Sequence, residues 1–170
     1  IDPFLSADRR LEGNPFLLPD ISQAVSRVYK AVLAREKIAI YGDFDVDGVT
    51  AIVILVEGLS RLGAEVITYI PDRVNEGHGL KISALEKLQA QGASLVITVD
   101  CGVTDLTEVK QAREMGMDMI ITDHHIPLGS LPRAVAVIDP KRKDSMYPYP
   151  DLAGAGVAFK FLQALFHKDS

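Results

Sequence analysis

The chain has 170 residues, 48% of them hydrophobic, which suits one globular domain able to bury about 70% of its unfolded surface. Its single cysteine, Cys101, excludes an internal disulfide framework and favours a reducing compartment, the cytoplasm. The longest apolar run, Ala51 to Val56, stops at Glu57, far short of a bilayer span, and nothing at the start reads as a signal peptide. The net charge of −5 weighs against a nucleic-acid partner held by charge alone, although much of that excess sits in one carboxylate cluster that divalent cations would neutralise.

Residues 1–19 hold three prolines and little periodicity, and read as an extended segment wrapping the surface. Asp20 then reads as the cap of a helix over 21–35, with Ile21, Val25, Val28, Val32 and Leu33 on its apolar face. From there strands are expected over 37–41, 65–70, 95–99, 117–121 and 134–138. Helices are expected between them over 49–62, 81–91 and 104–115, with a last one over 154–166. Gly63, Gly92 and Gly116 punctuate three helix ends. Apolar strands alternating with helices imply right-handed βαβ units. The expected fold is a doubly wound α/β domain over 20–170, with a mainly parallel five-stranded sheet and helices on both faces. The stretch 140–151, with Tyr147-Pro148-Tyr149-Pro150, is a loop and not a linker, because Val157, Phe161, Leu162 and Leu165 of the last helix need the same core.

Chemistry begins at Asp43-Phe44-Asp45-Val46-Asp47-Gly48, just after the first strand. In an extended segment alternate side chains share a face, so the three carboxylates would point into one space and call for a divalent cation that prefers oxygen. A calcium EF-hand is excluded, since its ninth and twelfth positions would be Ala51 and Ile54 and a strand precedes the motif. The other strand ends repeat the theme. Asp72, Arg73 and His78 follow the second, Asp100-Cys101-Gly102 the third, Asp123-His124-His125 the fourth and Asp139-Pro140-Lys141 the fifth. Ligands of open parallel sheets bind beyond these carboxyl ends. Mixed Asp and His donors suit Mn²⁺ or Mg²⁺, and so many carboxylates suit two ions about 3.5–4 Å apart, clamping the oxygens of a phosphoryl centre.

The motifs around Asp43, Asp45 and Asp47, around Asp100, and Asp123-His124-His125 resemble the first three signatures of the DHH phosphoesterase superfamily. The flanks resemble its RecJ family of single-strand-specific 5′-to-3′ DNA exonucleases: Asp2-Pro3-Phe4, the stretch from Pro71 to Leu80, Val137-Ile138-Asp139-Pro140 and Gly154-Ala155-Gly156-Val157-Ala158. That resemblance implies Asp45, Asp47, Asp100 and His124 as metal ligands, with Asp100 the bridge, and Asp43 either a ligand or a partner of metal-held water. It implies Asp123 as the residue orienting His124, His125 at the scissile phosphate and Arg73 on a substrate phosphate. The free N–H groups where Gly154 and Gly156 open a helix offer a weaker phosphate site. The implied activity is metal-dependent hydrolysis of single-stranded DNA in repair and recombination. Its rivals are a DHH-type phosphodiesterase acting on oligonucleotides, cyclic dinucleotides or pyrophosphate, and a non-catalytic DNA-binding scaffold. A further metal-binding aspartate and a second domain of the family are expected downstream, so the isolated chain is expected to cleave weakly or not at all. Cys101 reads as a small buried residue at a turn, His78 equally as a substrate contact or a packed surface ring, and no Gly-x-Gly-x-x-Gly supports a dinucleotide site.

Overall fold

Strand β1 (Lys37–Gly42) is apolar without alternation because both of its faces are covered. Ile38 and Ile40 pack into one core, and Ala39 and Tyr41 into the other. The computed structural model describes residues 12–167. After α1 (Ile21–Ala34) and β1, the order is α2 (Val46–Arg61), β2 (Glu65–Tyr69), α3 (Ile82–Ala90), β3 (Ala93–Val99), α4 (Leu106–Glu114), β4 (Asp118–Thr122), β5 (Ala136–Ile138) and α5 (Gly154–Leu165). The sheet runs β2-β1-β3-β4-β5, and every pairing is parallel. Side chains of α1, α2 and α5 fill one core, and those of α3 and α4 the other. The order reverses between β1 and β3, the place at which open parallel sheets form a crevice beyond the strands' carboxyl ends.

Helix α5 is fastened by Val157, Phe161 and Leu165, all fully buried and each contributing about 1.5–3 kcal/mol of apolar burial. It lies close against α2, where a Cβ on Gly58 would collide with Leu162. This contact fixes where the first turn of α5 meets the crevice. Gly63, Gly92 and Gly116 take positive φ after their helices, as the sequence predicts. No described helix is long and apolar enough to cross a membrane.

Four expectations are corrected. Asp20 is in the left-handed region and makes no side-chain cap; its carboxylate instead accepts from the Val137 N–H at 3.1 Å and from Arg142 Nη1 at 2.5 Å, tying α1 to β5. Leu33 is exposed, because α1 seats small Ala24 and Ala31 against the core beside Ile21 and Val28. Residues 12–19 are not simply extended: Pro15–Leu17 form a 3-10 turn capped by Asn14, and Leu18 is buried. Helix α2 begins at Val46, so Asp45 and Asp47 are not strand residues. The Asp2-Pro3-Phe4 motif lies outside the described residues.

Candidate metal centre

Asp100 follows β3 in the left-handed region (φ 59°), a conformation that costs a non-glycine residue about 1–3 kcal/mol. Its surroundings enforce it. The Asp100 N–H donates to the Thr122 carbonyl at 3.0 Å, and Thr98 Oγ1 donates to the Cys101 carbonyl at 2.8 Å. The carboxylate is 3% exposed, and one of its oxygens, Oδ1, has no hydrogen-bond partner. Facing it at 2.9 Å, off the line of a hydrogen bond, is His124 Nε2. The other nitrogen of that ring, Nδ1, lies 2.9 Å from the Leu152 carbonyl, which can only accept, so Nδ1 carries a proton and Nε2 is the nitrogen turned toward Asp100. Two lone pairs confronted in a buried place repel each other unless a cation or a proton lies between them.

Asp47 completes the corner. It lies in the first turn of α2, with Oδ2 at 3.7 Å from His124 Nε2. Its two oxygens accept the N–H groups of Gly154 and Ala155, each at 2.7 Å. The helix start that the sequence offered to a phosphate is therefore taken at Gly154 by a carboxylate of the chain itself. Glycine is demanded there by close approach, since a Cβ on Gly154 would stand 2.8–2.9 Å from Asp100 Cβ, Cγ and Oδ1. Gly156 packs over Leu152. Burial first, then the charges of Asp47 and Asp45, push the Asp100 carboxyl up to about 7. A divalent cation would relieve that cost. The buried unpartnered oxygen, the imidazole lone pair and the crowded oxygen donors all fit one.

Asp123 acts differently. It is 1% exposed and spends its oxygens inside the fold: Oδ1 accepts the N–H groups of His124 and His125 at 2.7 and 3.1 Å, and Oδ2 that of Val103 at 2.9 Å. The same Oδ1 lies 2.7 Å from His125 Nδ1. The imidazole it orients is thus His125, not the His124 ring expected from the sequence, which the Leu152 carbonyl aligns instead. Burial disfavours the Asp123 charge, but bonds from His125 and Val103 outweigh it and hold the carboxyl below its usual range. In return the bond to Asp123 pushes His125 up to about 9. Among the described residues Asp100, His124 and His125 each bring one ligand-type atom within 4.8 Å of the others.

The remaining candidates stand apart. Asp43 Oδ1 accepts the Phe44 N–H at 2.6 Å and Oδ2 meets His78 Nδ1 at 2.7 Å, so both oxygens of this carboxylate are already engaged, one in its own loop and one with the loop that follows β2. Asp45 caps α2 through Gly48 N at 2.9 Å, is exposed, and reaches Asp100 through its charge. Arg73 is exposed, with its guanidinium 5.4 Å from the Phe44 ring centre. Cys101 is buried, and burial pushes its thiol up, as an inert residue requires. One contributor escaped the sequence reading. The Leu152 carbonyl has no side-chain signature at all. Asp139, which the sequence marked only by its place after the fifth strand and gave no role, is fully buried with Oδ2 unpartnered and its carboxyl pushed up to about 6 by burial.

The family model for the DHH family, N-terminal domain, matches residues 37–170. The chain belongs to the DHH family. This DHH domain is 45% identical over 152 residues to the single-stranded-DNA-specific exonuclease RecJ of Bacillus subtilis (strain 168), a match covering 89% of the chain and 19% of that relative. A crystal structure of exonuclease RecJ bound to manganese superposes with a TM-score of 0.76 at 36% identity, covering 87% of this chain and 37% of that one. RecJ of Thermus thermophilus in complex with Mn²⁺ gives 0.71 at 33% identity, covering 87% and 21%. The DHH domain therefore spans about a fifth of the length of the Bacillus relative.

Proposed function

We propose that this DHH domain is the metal-binding part of a single-stranded-DNA-specific exonuclease of the RecJ kind, hydrolysing phosphodiester bonds with Mn²⁺ or Mg²⁺. The observation that carries this reading is the buried confrontation of Asp100 Oδ1 with His124 Nε2, 2.9 Å apart. Asp100, His124 and Asp47 would hold the first ion, and Asp45, exposed at the rim, is the donor proposed for a second. When bound, such ions supply an activated water and neutralise charge on the transferring phosphoryl group. The protein's own groups do the rest. His125, kept protonated by Asp123, sits beside this corner to hold phosphate charge and to give a proton from Nε2 to the leaving oxygen. Arg73 presents a planar fork of donors to a neighbouring phosphate.

The proposed substrate is single-stranded DNA, a reading that rests on the likeness to RecJ relatives. The proposed setting is the cytoplasm, where the lone thiol stays reduced, and the proposed use is DNA repair and recombination. The test is turnover, by the protein that carries this domain, on long single-stranded DNA, duplex DNA, dinucleotides and pyrophosphate. Cleavage of single strands that needs Mn²⁺ or Mg²⁺ and stops with chelator is the expected result. Preference for dinucleotides or pyrophosphate would give the site to a different phosphoester. Binding of DNA with no cleavage under any divalent ion would make the domain a scaffold.

A further inference from the structure

We infer that His78 is a positioning residue: it fastens the loop carrying Arg73 onto Asp43 and so sets where the guanidinium meets a nucleic-acid phosphate. The inference deepens the nuclease reading and rests on it for the role of Arg73. The loop runs from Asp72 to Gly79 between β2 and α3, and it is braced from within. Asp72 Oδ1 accepts the N–H groups of Val74 and Asn75 at 2.9 and 2.8 Å, and Glu76 Oε2 accepts that of Asp72 at 2.7 Å. A braced loop moves as a unit, so its placement depends on what ties it to the rest of the fold.

Near the loop's end, Tyr41 donates its hydroxyl to the Gly79 carbonyl at 3.0 Å, and the Leu80 N–H reaches Asp105 Oδ2 at 2.8 Å. The tie that reaches the first motif is His78 Nδ1 to Asp43 Oδ2, at 2.7 Å. Asp43 is 6% exposed and as a carboxylate can only accept, so Nδ1 donates in a charge-assisted bond. The same imidazole lies against Phe44, ring centres 4.4 Å apart, and the Arg73 guanidinium lies 5.4 Å from that ring centre. Phe44 thus joins the anchored imidazole to the cation. Arg73 makes no ion pair among the described residues, which leaves its fork of donors for an outside anion. An ordinary surface histidine would need neither a buried acceptor nor a ring partner, and His78 has both while its side chain remains 71% exposed.

His78→Phe keeps a ring against Phe44 and removes the donor, whereas His78→Asn returns an N–H near the place of Nδ1. In the protein that carries this domain, His78→Phe is expected to raise KM for single-stranded DNA about tenfold, as loss of a coupled contact does, with kcat and Mn²⁺ affinity nearly unchanged. His78→Asn should restore KM, and in an Arg73→Ala background His78→Phe should add nothing. Effects of the two changes that multiply, or a loss confined to kcat or to Mn²⁺ affinity, would overturn the inference. Amide exchange over residues 72–79 reads the anchor without turnover: His78→Phe should speed it and His78→Asn should not. Unchanged exchange in His78→Phe would also overturn it, while a wild type that cleaves no DNA but shows the exchange response would sink the nuclease reading alone.

Discussion

Replacing Asp100 by alanine is expected to lower metal-dependent cleavage of single-stranded DNA by more than about 10²-fold, because losing even an outer partner of a metal ligand costs 10–100-fold. The change removes the oxygen that faces His124 Nε2 at 2.9 Å, and with it a carboxyl whose charge is disfavoured first by burial and then by Asp47 and Asp45. It also removes a buried carboxyl whose charge the site disfavours, while alanine keeps the left-handed backbone at some cost. Thermal stability without metal should therefore hold or rise while activity collapses, a combination that a merely structural residue would not produce. DNA affinity measured by anisotropy in chelator should stay near wild type. Steady-state cleavage and thermal denaturation on the same preparation check both halves, and a variant that cleaves within a few-fold of wild type would contradict the assignment.

The second large effect concerns the proton. His125→Ala should reduce kcat by about 10²–10⁴-fold, the range of a lost general acid or base. The pH profile carries the finer test. In the proposed mechanism His125 serves as the imidazolium, and its pairing with Asp123 raises its folded-state value to about 9, so the competent form would persist through neutrality and be lost as pH rises through that value. Asp123→Asn removes the paired charge. The imidazolium then gives up its proton at lower pH, and the alkaline limb of kcat should move down toward the ordinary histidine range near 6.5. An alkaline limb that stays in place in Asp123→Asn would assign that limb to another group, such as metal-held water.

Much of this was legible in advance, and the reasons differ by element. The strands were readable because β1, β3 and β4 are buried on both faces, and such runs are dominated by apolar residues without alternation. The ligand types were readable because each strand end places its next residue on the same rim. The first motif was harder. Asp43, Asp45 and Asp47 alternate like a strand, yet Asp45 caps α2 and Asp47 turns with the helix toward α5. Alternation and helix capping compete over those residues, and the cap wins once the Asp45 carboxylate accepts from Gly48. Asp20 escaped local reading because its partners are 117 and 122 residues away in sequence. The His124 tautomer escaped because a backbone carbonyl, that of Leu152, fixes it.

Underneath both large effects lies one claim: carboxylate oxygens and an imidazole nitrogen held just after β3 and β4 and in the first turn of α2 face one another because a divalent cation belongs among them. Anomalous scattering from crystals of this chain soaked in Mn²⁺, recorded at the manganese absorption edge, tests it most directly. The expected result is a peak bonded to His124 Nε2 and to carboxylate oxygens of Asp100 and Asp47, about 2–2.3 Å from each. Manganese bound only elsewhere, with Asp100 and His124 still facing each other at hydrogen-bond distance, would contradict it.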